Sequence, residues 1–192
     1  RDLTVCNPMC CRIGCMYAIK QAQLLMGALP LAEVTIYLID VRAFGKGYDE
    51  FFEQAKGMGV NFVKGKVARI EEAQNGNLQV FYEDLENGKG LVTANHDLAV
   101  LSVGLQPNRD LAARVKNLGL QQDALEYIAE VDELGEPGKT HVPGVFVAGA
   151  FTAPCDIPDA VVHASAAAAQ AACYLSRAQA ADKREKPARE RA

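Results

Sequence analysis

The feature that most constrains the fold is an order of segments. A β-branched, apolar run over residues 33–40 (EVTIYLID) leads through a glycine-bounded loop into a helical stretch at about 48–58 and a second run at 60–63. Strand, helix, strand in that order implies a parallel pair, because parallel strands need a crossover. Three short alternating segments follow, at 67–71, 78–82 and 91–94. Asn75-Gly76-Asn77 and Asn87-Gly88 separate them and predict an antiparallel meander. Upstream, Ile13, Met16, Tyr17, Ile19, Leu24 and Leu25 recur at helical spacing over 12–28, and Gly27 with Pro30 supplies the stop.

Downstream, residues 97–103 (DLAVLSV) read as another buried strand ending at Gly104. A helical patch over 111–118 follows, and then Gly144-Val145-Phe146-Val147-Ala148-Gly149 reads as a short buried strand ending on glycine. Pro154 and Pro158 frame the start of an alanine-rich helix over 158–180, and the charged residues 181–192 read as a solvated tail. There are no internal repeats.

The opening of the chain carries the chemistry. Cys6, Cys10, Cys11 and Cys15 place four of the six cysteines within ten residues. Soft thiolates at this density suit an iron–sulfur cluster or zinc, although the spacing matches neither zinc-ribbon pairs nor the common ferredoxin runs. Disulfides are the bland alternative, and adjacent Cys10 and Cys11 are poorly placed to bridge each other. Cys155 stands just ahead of the closing helix with no Cys-x-x-Cys partner, while Cys173 reads as a small buried helix residue.

With 49% hydrophobic residues over 192 positions, the chain can build one ordinary domain or two small ones. It starts at Arg1 with no charged and apolar leader, and reads as a fragment. No apolar run approaches the roughly 20 residues of a membrane span. A cytoplasmic protein with reduced thiols is expected. A net charge of -4 gives no footprint for nucleic acid.

A βαβ unit, a meander, a buried strand, then Gly-Val-Phe-Val-Ala-Gly before a helix is a recurring layout of flavoproteins with two nucleotide-binding domains. There the closing helix aims its N-terminus at the flavin, where unpaired N–H groups and partial positive charge stabilise the reduced ring. The plain alternative is an ordinary α/β protein in which Gly149 makes a tight turn.

Residues 10–20, residues 35–48 with Asp40, Arg42, Gly45 and Gly47, and Cys155-Asp156-Ile157-Pro158-Asp159-Ala160 together resemble the A-type flavoprotein subunit of heterodisulfide reductase. The similar subunit of bacterial sulfur-oxidising complexes is included in that resemblance, which covers the chain to about Leu175. It implies an α/β, FAD-binding fold like that of thioredoxin reductase, with a [4Fe–4S] cluster close to the flavin. The expected domains are a cluster-binding segment with a flavin-facing helix (1–32), an inserted pyridine-nucleotide-type domain (33–105), a return to the FAD domain with the closing helix (106–180), and the tail.

The family's cluster motif has a cysteine, three residues, two adjacent cysteines, then Met-Tyr. Matching on Met16-Tyr17 puts Cys10 and Cys15 on ligand positions, and Gly14 replaces the other adjacent cysteine. Cys11 or Cys6 is the candidate to fill that vacancy. Lys20 matches a lysine beside the isoalloxazine, where its ammonium can tune the reduced flavin; the bland reading is a surface lysine. Gly149, Ala150, Ile157, Pro158 and Val161 match the flavin-lining segment. Ala150 stands where many such flavoproteins carry Asp.

No GxGxxG turn for the ADP part of FAD is present, since Gly45-Lys46-Gly47 lacks the later glycine, and that turn is expected ahead of Arg1. The middle region shows no dinucleotide fingerprint for NADH. His163 falls about one and a half turns into the closing helix, where it can face the expected flavin. The resemblance implies an electron-transfer flavoprotein subunit working with other heterodisulfide-reductase-like subunits, and a homodimer. Two alternatives stand beside it: a self-contained pyridine-nucleotide–disulfide oxidoreductase, and a zinc-stabilised interaction module.

Overall fold

The computed structural model describes residues 8–108, 110 and 115–189, with side chains to residue 181; Cys6 lies outside the described residues. They form two compact units, one of residues 13–104 and one joining the residues up to 12 with those from 105 onward.

The first unit runs α1 (Gly14–Ala28), β1 (Thr35–Leu38), α2 (Tyr48–Gly57), β2 (Asn61–Glu72), β3 (Leu78–Asp84) and β4 (Gly90–His96). The strands form one sheet in the order β1-β2-β3-β4. The runs expected at 60–63 and 67–71 are a single strand. Its first four residues pair parallel with β1 (Thr35 opposite Asn61), and from Gly65 it pairs antiparallel with β3, with a bulge between Val67 and Arg69. Glycine is required at the change of partner: a Cβ on Gly65 would meet the Glu83 carbonyl oxygen at 2.8 Å and the Tyr82 ring at 2.9 Å.

The core of this unit joins Ile19 and Ala22 of α1 to Ala55 and Val60, and the Phe52 and Phe62 rings meet edge to face at 4.8 Å. Helix α1 packs on α2 within this unit. Of the apolar stripe read from its sequence, Ile19 is buried and Met16 packs beside it, while Leu24 and Leu25 are left exposed.

Residues 97–103 form no strand among the described residues. Leu98, Val100, Leu101 and Val103 are 71–82% exposed. β-propensity supplies no ladder by itself, and this run has no neighbouring strand to complete one.

The β3–β4 turn is held by Asp84, whose carboxylate accepts from the N–H groups of Glu86 (3.1 Å) and Asn87 (2.9 Å) and from the Asn87 amide (2.9 Å). These bonds, the Asn87 backbone first, hold its acid below the usual carboxylate range. A lowered folded-state value contributes stability at pH above the ordinary carboxylate range, and the contribution is lost as pH falls through the lowered value. Asp84→Ala is expected to melt several degrees below the native protein at pH 7, with the gap closing in acid. Equal melting temperatures at pH 7 would show that the cap contributes nothing.

The second unit is loop-rich. It contains short 3₁₀ turns at Lys116–Leu118 and Gly149–Phe151, isolated bridges Gln122 to Ile128 and Lys139 to Phe146, and the long helix α3 (Ile157–Arg189). Of the helical patch expected at 111–118, residues 111–114 lie outside the described residues and 116–118 form the first of these 3₁₀ turns. The expected strand at 144–149 is reduced to the bridge at Phe146, because Thr140 and Gly138 take the Val145 and Val147 backbone groups individually. The helix continues through the charged residues to Arg189, where a tail was expected; Ala, Lys, Arg and Glu there are strong helix formers, and Pro187 falls only in its last turn. Tyr127, Ile128, Val147 and Ala167 form the interior of this unit.

Candidate functional site

The site residues of the second unit gather where α3 begins. Asp156 is the N-cap: its carboxylate accepts from the Asp159 N–H (2.8 Å) and its carbonyl from the Ala160 N–H (2.9 Å). Pro158 has no N–H. Asp159 lies in the first turn and pairs with Arg12 at 3.0 Å. Two carboxylates thus already meet the positive end of this helix, so less of its dipole is left for an external anion than a bare helix start would offer. What the helix start offers instead is apolar surface. Ile157 is 81% exposed and Val161, one turn on, 60%, with exposed Pro158 between them.

Gly149 makes the turn ahead of the helix with φ of +65°, a left-handed conformation that disfavours any other residue. Its N–H donates to Nδ1 of His163 at 2.9 Å, and its carbonyl accepts from the Thr152 N–H at 3.2 Å. His163 therefore ties Gly149 to α3. Ala150, at the position where an acid is usual in such flavoproteins, is exposed and offers only backbone groups. Beside it a cleft of about 290 Å³ is walled by Gln106, Asn108, Gln122, Glu126 and Phe151. Its amides can donate and accept.

Thiols flank this region. Cys10 and Cys11 are half-buried, and the next residue, Arg12, sits left-handed at φ of +59° with its guanidinium on Asp159. Cys155 is half-buried as well, and forms no disulfide. Burial first, then Asp159 and Asp156, push its thiol up, against a smaller opposing pull from Arg12. A dipole-activated thiolate at Cys155 is not what these surroundings make. Tyr127 is pushed up by burial, by Asp123 and by the charges that Cys11 and Cys155 carry when ionised.

Lys20 and Cys15 belong to the first unit. Lys20 is exposed on α1, and Cys15 is a half-buried thiol in the first turn, its Sγ 4.0 Å from the Asp40 carbonyl. Among the described residues no three His, Cys, Asp or Glu side chains converge as a metal site. Cys173 is exposed rather than buried, because its side of α3 is uncovered. Arg42 pairs with Asp40 at 3.1 Å, both about half exposed. No helix among the described residues is long and apolar enough to cross a membrane.

The sequence profile of the family described as "Pyridine nucleotide-disulphide oxidoreductase" matches residues 12–171. The chain belongs to this oxidoreductase family. It is 40% identical over 181 residues to the A subunit of the H(2)/formate:CoB-CoM heterodisulfide,ferredoxin reductase of Methanococcus maripaludis, covering 93% of this chain and 27% of that protein. It is 41% identical over 179 residues to the second A-type iron-sulfur subunit of the CoB–CoM heterodisulfide reductase of Methanopyrus kandleri, covering 92% and 27%. The chain thus spans about a quarter of the length of these curated relatives, and the resemblance to heterodisulfide reductase A subunits holds along nearly all of it. Among solved structures, Lactococcus lactis thioredoxin reductase matches with a TM-score of 0.60 at 22% identity, over 84% of this chain and 50% of that one. That likeness establishes the thioredoxin-reductase-like α/β fold.

His163 is expected from sequence to face a flavin, yet its ring is engaged with Gly149 and Glu130. No local pattern points to that arrangement, since Glu130 is 33 residues away.

Proposed function

We propose that the chain is part of the flavoprotein subunit of a heterodisulfide-reductase-like complex, in which FAD exchanges electrons with a neighbouring [4Fe–4S] cluster and partner subunits handle the disulfide or sulfur substrate. The observation that carries this reading is the start of α3. A left-handed glycine turn, an exposed backbone at Ala150 and an uncovered apolar face of Ile157, Pro158 and Val161 lie within the stretch shared with the heterodisulfide reductase relatives. These residues fit an aromatic ring system: the apolar face covers a ring, and the Ala150 backbone meets polar edge atoms. Bound FAD supplies the hydride and single-electron chemistry. The second unit's part is to shape the turn and exclude water with the α3 face; that Lys20 tunes the reduced ring is what the resemblance to the heterodisulfide reductase subunit implies.

For the cluster, the donor type fits. Cys10, Cys11 and Cys15 are half-buried thiols within six residues, and Cys6 is the further thiol of the set. The spacing matches neither a zinc pattern nor a common ferredoxin run, and it is the resemblance to the heterodisulfide reductase subunit that favours a cluster over zinc. The domains expected from sequence stand within this proposal as a cluster segment, an inserted domain and a flavin-side return, together with a homodimer and a cytoplasmic setting.

The test is an anaerobic absorption spectrum of the purified full-length protein before and after dithionite. Flavin bands near 450 nm over broad absorption near 400 nm, both bleaching, are expected of these cofactors. Flavin alone would return the cysteines to a thiol role, and a colourless zinc protein would end the reading.

A further inference from the structure

Helix α3 is joined to the Gly149 turn by one side chain that carries two bonds of fixed direction. The Gly149 N–H can only donate, so Nδ1 of His163, 2.9 Å away, must be the bare acceptor nitrogen. The ring proton then sits on Nε2 and is donated to Oε1 of Glu130 at 2.9 Å. The same carboxylate oxygen accepts from the Gly138 N–H, and the Gly138 carbonyl accepts from the Val147 N–H at 2.9 Å. The side chains of His163 and Glu130 are 18% and 7% exposed, so water competes little for these bonds. Ala167, one turn along the same face of α3, packs on Gly138.

We propose that His163 is a positioning residue for the flavin: as the neutral, Nε2-protonated ring it holds the Gly149–Ala150 turn in register with the apolar face of α3, while Glu130 fixes the tautomer. This rests on the FAD reading above. His163 touches no cofactor in this role. It acts through the Gly149 backbone, whose N–H would otherwise be left without its acceptor when the turn closes on a ligand.

The two bonds can be removed separately. Asparagine carries its polar group about as far from the backbone as Nδ1, and glutamine about as far as Nε2. In the full-length protein, His163→Asn is therefore expected to keep the Gly149 acceptor and hold FAD within about twofold of the native protein. His163→Gln and His163→Ala are expected to bind FAD about tenfold more weakly and to shift the visible flavin band, since a half-buried donor has lost its partner. Cys173→Ser, on the exposed side of α3 and outside this bond chain, checks that folding is intact and is expected to stay near native.

Flavin retention, flavin spectrum and melting temperature are read on all four variants. Rescue by Asn but not Gln, at similar melting temperatures, supports the proposal. It is overturned if Ala and Gln retain flavin like the native protein, or if Asn loses as much as Gln. A native protein that binds no flavin is a separate result: it removes the FAD reading, and this positioning role with it.

Discussion

Gly138→Ala is expected to cost the second unit about 2–5 kcal/mol, combining overpacking of a filled interior with a non-glycine residue held left-handed. Gly138 has φ of +80°, and a Cβ on it would stand 2.6 Å from the Ala167 Cβ and 2.9 Å from the Val147 carbonyl oxygen. Nothing at that position is a flexible side-chain tip that can swing aside. The methyl must push α3 off the 138–147 layer, or the layer must break its Gly138–Val147 bond. Urea unfolding of the full-length protein followed by circular dichroism reads the loss as a lowered midpoint. Gly57→Ala, at the end of α2 with open space around it, is the contrast and should be neutral or slightly stabilising. If the two variants unfold alike, the close approach of α3 to Gly138 is not a feature of the native state.

Replacing Cys10 or Cys15 with serine is expected to remove most of the iron and acid-labile sulfide from the anaerobically purified full-length protein. A serine oxygen is a far harder and weaker ligand for this chemistry than a thiolate. Cys173→Ser, on the exposed side of α3, should leave iron content unchanged and controls for handling. Cys11→Ser decides whether that thiol fills the place Gly14 leaves: loss of iron equal to that of the Cys10 variant assigns it to the cluster. Unchanged iron in the Cys10 and Cys15 variants would take the cluster away from this motif.

The parts of the fold legible in sequence are those written in short-range patterns. The Asn-Gly turns mark out β3 and β4, and the apolar stripe with Gly27 and Pro30 marks out α1 to within two residues at its start. Patterns that depend on a distant partner mislead. The run 97–103 has the composition of a buried strand, but composition says nothing of whether a neighbour is in place to pair with it. The stripe on α1 shows that something must cover Ile19 without showing that Ala55 does. At the site, the glycine turn and the helix start are legible because their residue types are dictated by backbone geometry. The neutral state of Cys155 is not, since it comes from burial and from two carboxylates whose effect opposes the dipole expected of a helix start.

One consequence follows from β2 being a single strand with two kinds of neighbour. Residues 61–64 belong to the parallel ladder and residues from 65 onward to the antiparallel one, with no break in the chain between them. The βαβ half and the meander half therefore share one row of peptide groups, and neither can detach without disturbing the other. Slowly exchanging amides along β2 should report a common opening event for both halves, so that this unit breathes as one cooperative block.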